Sequence, residues 1–210
     1  MTTPREQTAN LLGALALVIT DQAADHVTAA SGQAGTDAAA LSALHQFLDH
    51  PTLDRMRNVL GLTPSGAVRV VDRLAAGGLA GRGPGTDGRS RSVTLTAEGG
   101  RTAGRISSTR LGYLADLLST LSTEENATLH ALLGKIMSQV VQGKDGGPWI
   151  CRLCDLRACG RAAGHCPTAN AAAVMYGIAP PSTRAGPGRA QGGAVPDGRD
   201  RDDEAGDLDR

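Results

Sequence analysis

Residues 60–96 read LGLTPSGAVRVVDRLAAGGLAGRGPGTDGRSRSVTLT, and this stretch constrains the fold more than any other. Thr63 followed by Pro64 is a typical helix start, because a threonine side chain caps free N–H groups and proline suits the first helical position. The apolar residues that follow have the spacing of one buried helix face: Ala67, Val70, Val71 and Leu74. The Gly77–Gly78 pair predicts the end of this helix.

Two short strands are predicted next, over Leu79–Arg82 and Arg89–Leu95, with a loop rich in glycine and flanked by arginines. A supporting helix is predicted before the central one, over Thr52–Leu60, with Gly61 in the turn. Two helices followed by a basic hairpin are the layout of a winged helix-turn-helix. The predicted fold class is therefore mainly α, with a short two-stranded wing and apolar helices at both ends of the domain.

The charge of the chain is unevenly distributed, although its formal net charge at pH 7 is +0. Residues 1–52 carry one Arg against five acidic residues, a balance of 1 − 5 = −4. Residues 53–110 carry ten Arg against four acidic residues, a balance of 10 − 4 = +6. A basic block on a helix–hairpin pattern favours a polyanionic partner. An arginine-rich solvated surface is the alternative.

These segments, taken in order, resemble the MarR family of bacterial transcription regulators. The matching segments are LTPSGAVRVVDRL (62–74), GGLAGR (77–82), DGR (87–89), VTLTAEG (93–99) and LSTEENATLHALL (121–133). The resemblance covers residues 8–142. It implies a sequence-specific DNA-binding regulator that acts as a homodimer, in which the first and last helices of the two subunits form the dimer interface.

Candidate DNA contacts lie on the outer face of the predicted recognition helix. Four residues are predicted to reach base edges in the major groove of double-stranded DNA: Ser65, Gly66, Val68 and Arg69. An arginine can donate two hydrogen bonds to guanine, and small residues allow close approach. Thr63 and Arg73 are predicted phosphate contacts.

The predicted wing supplies the remaining candidates. In the family, an Asp-x-Arg pair places the arginine near the minor groove, and the resemblance puts this pair at Asp87 and Arg89. The usual family form is Asp-Arg-Arg, whereas Gly88 stands in the middle here. A looser wing tip is therefore expected, with Arg91 sharing the contact.

Helices are also predicted on either side of this region. Residues 1–7 are expected to be flexible, and residues 8–30 helical with a broad apolar face. Thr36 or Asp37 is expected to cap a second helix. Further on, Thr96 caps a long helix, and the capping box Ser122–Glu125 opens a last one with an apolar stripe. Pairing of that helix with residues 8–30 of a second subunit is favoured over an intrachain core helix.

A cysteine-rich module is predicted over residues 149–179, between a linker at 143–148 and a disordered tail at 180–210. It holds all four cysteines of the chain, with spacing C-x2-C-x4-C-x6-C: Cys151, Cys154, Cys159 and Cys166. Four thiolates in one short segment suit tetrahedral zinc or an iron–sulfur cluster, and the pattern leaves both open. Four free thiols are the remaining alternative.

Several functional interpretations compete. No nucleotide loop and no nucleophile–base motif points to an enzyme, and no segment is long enough to span a membrane, so a cytoplasmic protein is predicted. The favoured function is a regulator whose metal centre senses redox or metal state. The alternatives are a regulator that responds to a small organic effector and has a structural metal site, a small iron–sulfur redox protein, and an interaction module without DNA binding.

Overall fold

The computed structural model describes residues 2–84, 91–141 and 149–177. Within these ranges the chain is mainly helical and carries one two-stranded antiparallel sheet. The helices are α1 (Pro4–Ser31), α2 (Gly35–Gln46), α3 (Leu53–Leu60), α4 (Pro64–Ala76), α5 (Ala97–Leu118), α6 (Thr123–Val140) and α7 (Pro167–Tyr176). The strands are β1 (Ala80–Pro84) and β2 (Arg91–Leu95). The predicted fold class is confirmed, whereas the predicted linker at 143–148 and tail at 180–210 lie outside the described residues.

The first two helices begin at positions other than those predicted. α1 begins at Pro4, ahead of the predicted residue 8, because Thr3 and Glu6 form a capping box in which the Thr3 backbone N–H donates to Glu6 Oε2 at 2.7 Å. The prediction that Thr36 or Asp37 caps α2 was wrong. The N-cap residue is Ala34, which has no side-chain acceptor.

The hydrophobic core lies among α2, α3, α4, α5 and the base of the wing. Its largest fully buried side chains come from all of these elements and include Leu41, Met56, Leu74, Val93 and Ile106. The predicted apolar stripe of α4 is buried as expected. α4 is therefore fixed on its inner face, which leaves its outer face exposed.

The wing is attached to the core through its base. β1 and β2 pair from Ala80 opposite Leu95 to Pro84 opposite Arg91. The backbone N–H of Val93 donates to the carbonyl of Pro51 at 3.0 Å, and this ties β2 to the segment before α3. On the other side the Thr96 hydroxyl donates to the Gly78 carbonyl at 2.7 Å. The wing thus holds a fixed position beside α4.

Among the helices that the structure describes, none combines the length and the apolar character needed to cross a membrane.

Candidate nucleic-acid interface and cysteine cluster

The N-terminus of α4 is shaped by its cap. Thr63 Oγ1 accepts a hydrogen bond from the Gly66 backbone N–H at 3.1 Å, and the Ser65 hydroxyl lies 3.3 Å from the same oxygen. A Cβ atom at Gly66 would lie only 3.1 Å from Thr63 Oγ1, so a larger residue there would press on the cap. Thr63 and Ser65 are exposed, so this end of the helix presents two hydroxyl groups. Because Gly66 has no side chain, a partner can also approach the helix backbone closely here.

The outer face of α4 contains three of the predicted base-reading residues on one helical stripe. Ser65, Val68 and Arg69 are all exposed, and Val68 retains 38% of its accessible surface. The Arg69 side chain makes no hydrogen bond or ion pair with any described residue. The methyl groups of Val68 can contact a thymine methyl group, and the unpaired guanidinium of Arg69 can donate hydrogen bonds to a guanine edge.

Arg73, predicted to contact phosphate, is engaged by an acidic residue of α2. Its Nε and Nη2 atoms donate to the two carboxylate oxygens of Asp37 at 2.8 and 2.6 Å. This hydrogen bonding to Asp37 raises the pKa of the Arg73 guanidinium. The structure thus places Arg73 in a bidentate ion pair between α2 and α4, and its contact with phosphate stays a prediction.

The wing contributes an ion pair that the sequence interpretation missed. Arg82 of β1 bonds Asp72 of α4 at 2.7 Å, so the wing and the outer face of α4 are joined directly. No local spacing signals this pair, because the two residues belong to different elements. Arg91, at the first position of β2, is exposed, whereas the predicted contacts Asp87 and Arg89 lie outside the described residues.

The four cysteines lie in the segment that leads to α7, and all have free thiols. The Cys154 thiol donates to the Ile150 carbonyl at 3.9 Å, and the Cys159 thiol donates to the Leu156 carbonyl at 3.5 Å. Electrostatic interaction joins Cys151 with Cys154 and Cys159 with Cys166. Cys151 and Cys166 are buried. No group of three or more His, Cys, Asp or Glu side chains in the described residues is arranged to hold a metal ion. The structure therefore brings the predicted ligands into one region, as two pairs.

The charge around the cysteines is positive. A hydrogen bond from Cys151 lowers the pKa of Cys154 to about 7, with further lowering by Arg110, Arg161 and Arg152. The same hydrogen bond raises the pKa of Cys151. Burial raises the pKa of Cys159 to about 11. Cys154 is therefore more easily deprotonated than Cys151 or Cys159.

Arg161 is the central cation of this cluster. Its Nη1 atom donates to the Cys151 sulfur at 3.8 Å, and its backbone N–H donates to the Leu156 carbonyl at 3.4 Å. Its Nε atom is buried and has no hydrogen-bond partner among the described residues. A buried cation that keeps an unsatisfied N–H group stabilises negative charge next to it. The position of Arg161 among the thiols therefore suits this cluster to hold negative charge.

Cys154 is expected to be alkylated faster than Cys159 in the reduced, metal-free protein. Alkylation requires the thiolate, so its rate should be near its plateau above about pH 8 and fall about tenfold per pH unit below about pH 6. Iodoacetamide labelling followed by peptide mass spectrometry measures the four rates, with Cys159 as the internal control. Equal rates at Cys154 and Cys159 at neutral pH would contradict the assignment.

The cysteine segment packs against the winged-helix core. Leu153 contacts the hydrophobic core, and its carbonyl accepts a hydrogen bond from Arg110 of α5 at 3.4 Å. The Leu156 backbone N–H donates to Gln46 of α2 at 3.1 Å. α7 packs against α6, and a Cβ atom at Gly134 of α6 would lie 3.5 Å from Pro167. The segment is thus attached to three helices of the domain.

The arrangement of α3, α4 and the wing is that of a winged helix-turn-helix protein of the MarR type. Solved structures with this fold include a MarR family protein from Bacillus stearothermophilus, at 21% identity and a TM-score of 0.60, covering 68% of this chain and 100% of that one. MepR, a transcription regulator of the Staphylococcus aureus multidrug efflux pump MepA, has 20% identity and a TM-score of 0.56, covering 63% and 97%.

A complex of S. aureus MepR with DNA is also similar, at 21% identity and a TM-score of 0.51, covering 66% of this chain and 99% of that one. No protein-family model and no curated protein sequence matches the chain. These similarities establish the fold of the winged-helix part.

Proposed function

We propose that this protein is a homodimeric transcription regulator that binds double-stranded DNA through α4 and the wing. The observation that carries the proposal is the outer face of α4, where Ser65, Val68 and Arg69 are exposed beside a basic hairpin. A helix of this kind fits the major groove, and the wing reaches the adjacent backbone or minor groove. A solved structure with the same fold is MepR in complex with DNA, which supports DNA as the partner.

The homodimer is supported by apolar surface that the single chain leaves uncovered. None of the residues of α6, all of which the structure describes, is buried. Its exposed apolar side chains include Leu132, Leu133 and Ile136, at 50%, 42% and 46% exposure. In α1, Leu11 and Leu15 are 68% and 49% exposed. Faces of this extent on two helices are typical of protein–protein contact.

Two-fold symmetry gives the DNA site its expected form. Two α4 helices related by a two-fold axis imply a near-palindromic site with half-sites about 10 base pairs apart. Affinity should fall steeply with salt, because phosphate contacts release counterions. Selection from a random DNA library, followed by fluorescence anisotropy over a salt series, tests this. Binding that is insensitive to salt or lacks sequence preference would contradict the proposal.

Arg69→Ala is expected to weaken binding and to relax the base preference at one position of each half-site. Loss of a bidentate contact to guanine costs about 1–3 kcal/mol. The matched control is Arg5→Ala, which removes the same charge from an exposed position at the start of α1. Equal weakening on all sequences would show that Arg69 contacts phosphate rather than bases.

We also infer that Cys151, Cys154, Cys159 and Cys166 hold one metal centre, zinc or an iron–sulfur cluster. Four free thiols in one segment supply the ligands that both prefer. A centre with four thiolates is negatively charged, and Arg161, with its unpartnered Nε, suits such charge. Because no three of these described side chains are arranged around one point, binding requires the four sulfurs to move together. The centre would lie beside α2, α5 and α6, and its metal occupancy or redox state could act on these helices.

Metal analysis of anaerobically purified protein tests this centre and distinguishes zinc from iron with sulfide. Replacing any one of the four cysteines with Ser should release the metal. Arg161→Gln should weaken metal binding about 10–100-fold, as the loss of partners around metal ligands typically does. Arg157→Gln, an exposed arginine of the same segment, is the control. Absence of stoichiometric zinc or iron, with all four thiols freely alkylated, would disprove the centre.

A further inference from the structure

Gln46, the last residue of α2, joins the cysteine segment to the winged-helix core. Its Oε1 atom accepts the backbone N–H of Leu156 at 3.1 Å, and its Nε2 atom donates to the Ser107 hydroxyl of α5 at 3.3 Å. Ser107 is buried, so the amide is anchored on the core side. Leu156 lies between the two cysteine pairs. One side chain therefore contacts both the segment that connects the pairs and a helix of the core.

The other end of α2 holds the recognition helix. Asp37, in the first turn of α2, receives the bidentate hydrogen bonds of Arg73 from α4. Between these two ends α2 has an unbroken buried run, Ala38–Leu44. A short helix buried in this way moves as a unit, because close-packed cores shift between discrete arrangements rather than deform continuously. A displacement at Gln46 would therefore reach Asp37 and Arg73.

Metal binding is the event that would displace Leu156. The Cys159 thiol donates to the carbonyl of Leu156 itself at 3.5 Å, and the Cys154 thiol donates to the Ile150 carbonyl at 3.9 Å. A four-thiolate zinc site requires each sulfur to lie at about 2.3 Å from the metal. A metal-bound thiolate can no longer donate, so binding at Cys159 would remove its contact with Leu156 and shift residues 155–158, which connect Cys154 to Cys159.

We propose that Gln46 transmits the state of the cysteine segment, residues 149–166, to the recognition helix α4 through α2. The inference rests on the proposed metal centre and the proposed DNA-binding function. It assigns to Gln46 a positioning role, because the side chain contacts neither DNA nor a metal ligand directly. Coupling of this kind typically changes affinity about 5–150-fold, and DNA affinity should therefore differ within that range between the loaded and metal-free forms.

The test compares full-length wild type, Gln46→Ala and the control Gln22→Ala, with and without zinc chloride under reducing conditions. Gln22 is a matched glutamine, because its Oε1 accepts the Tyr113 hydroxyl at 2.8 Å and so also links a helix to α5, away from the cysteines. The readouts are zinc stoichiometry, amide hydrogen exchange in α2 and α4, and DNA affinity. Zinc should change α4 exchange in the wild type and in Gln22→Ala but not in Gln46→Ala, at equal zinc stoichiometry.

The same α4 response to zinc in Gln46→Ala, or no α4 response in zinc-loaded wild type, would overturn the proposal. Gln46→Glu keeps an oxygen acceptor for Leu156 and should retain the response, which guards against loss of folding in the alanine variant. If neither zinc nor iron binds, the proposed centre fails by itself. Alkylation of the thiols with iodoacetamide then replaces zinc as the means of changing the cysteine segment. Amide hydrogen exchange in α4 that is identical before and after alkylation overturns the coupling.

Discussion

Gly99→Ala is expected to destabilise the protein by about 3 kcal/mol, the upper part of the range for overpacking a closely packed site. Gly99 is buried in the first turns of α5, and a Cβ atom there would lie 1.9 Å from the Leu79 carbonyl oxygen and 3.2 Å from Leu95 Cδ2. The Leu79 carbonyl also accepts the Thr96 backbone N–H at 3.1 Å, so neither backbone segment can move without disturbing the base of the wing. The melting temperature should fall by about 6–12 °C.

Gly100→Ala provides the matched control for this prediction. It lies next to Gly99 in the same helix, and a Cβ atom there would meet nothing within 4 Å. Alanine is the better helix former, so this change should stabilise the protein by up to about 1 kcal/mol. Thermal unfolding of the two variants measures the difference. A melting temperature in Gly99→Ala equal to that of Gly100→Ala would show that the close approach of α5 to Leu79 is not maintained.

Ile136→Glu is expected to convert the proposed dimer to a monomer and to lower DNA affinity about 10²–10⁴-fold, the range by which linking two binding sites raises avidity. Ile136 lies at the centre of the exposed apolar stripe of α6 and is 46% exposed in the single chain. A carboxylate buried in an apolar interface without a partner is strongly unfavourable. Sedimentation velocity and DNA titration of the same samples measure both effects.

Ala131→Glu separates the effect of the interface from that of added charge. Ala131 is exposed and, by helical periodicity, lies on the side of α6 opposite Ile136, so the same charge is added away from the apolar stripe. This variant should remain dimeric and bind DNA normally. A wild-type protein that sediments as a monomer at micromolar concentration, or a dimeric Ile136→Glu, would contradict the proposed interface.

The exposed helices and the attached cysteine segment give the proposed regulator a consistent organisation. α6 carries the apolar face on one side and contacts α7 on the other, and α7 follows Cys166 directly. The segment also bonds Gln46 of α2, whose first turn holds Arg73 of the recognition helix. The proposed metal centre therefore lies where it can affect both the separation of the two recognition helices and the position of each one.

Elements with local signals could be predicted from the amino-acid sequence. Thr63 and Ser122 cap α4 and α6 by accepting backbone N–H groups three positions further on, so each cap is visible in a few neighbouring residues. The buried face of α4 follows from helical spacing alone. The four cysteines lie within one short segment, so their proximity follows from the short chain length between them.

Contacts between residues far apart along the chain could not be predicted in this way. Asp37, expected from its position to be a helix cap, instead binds Arg73, which is 36 positions away along the chain. Gln46 bonds Leu156 across 110 positions, and Gly99 lies against the Leu79 carbonyl. Caps and periodicity act over a few residues, whereas these contacts depend on the angles and distances at which buried helix faces pack, and no local pattern encodes those.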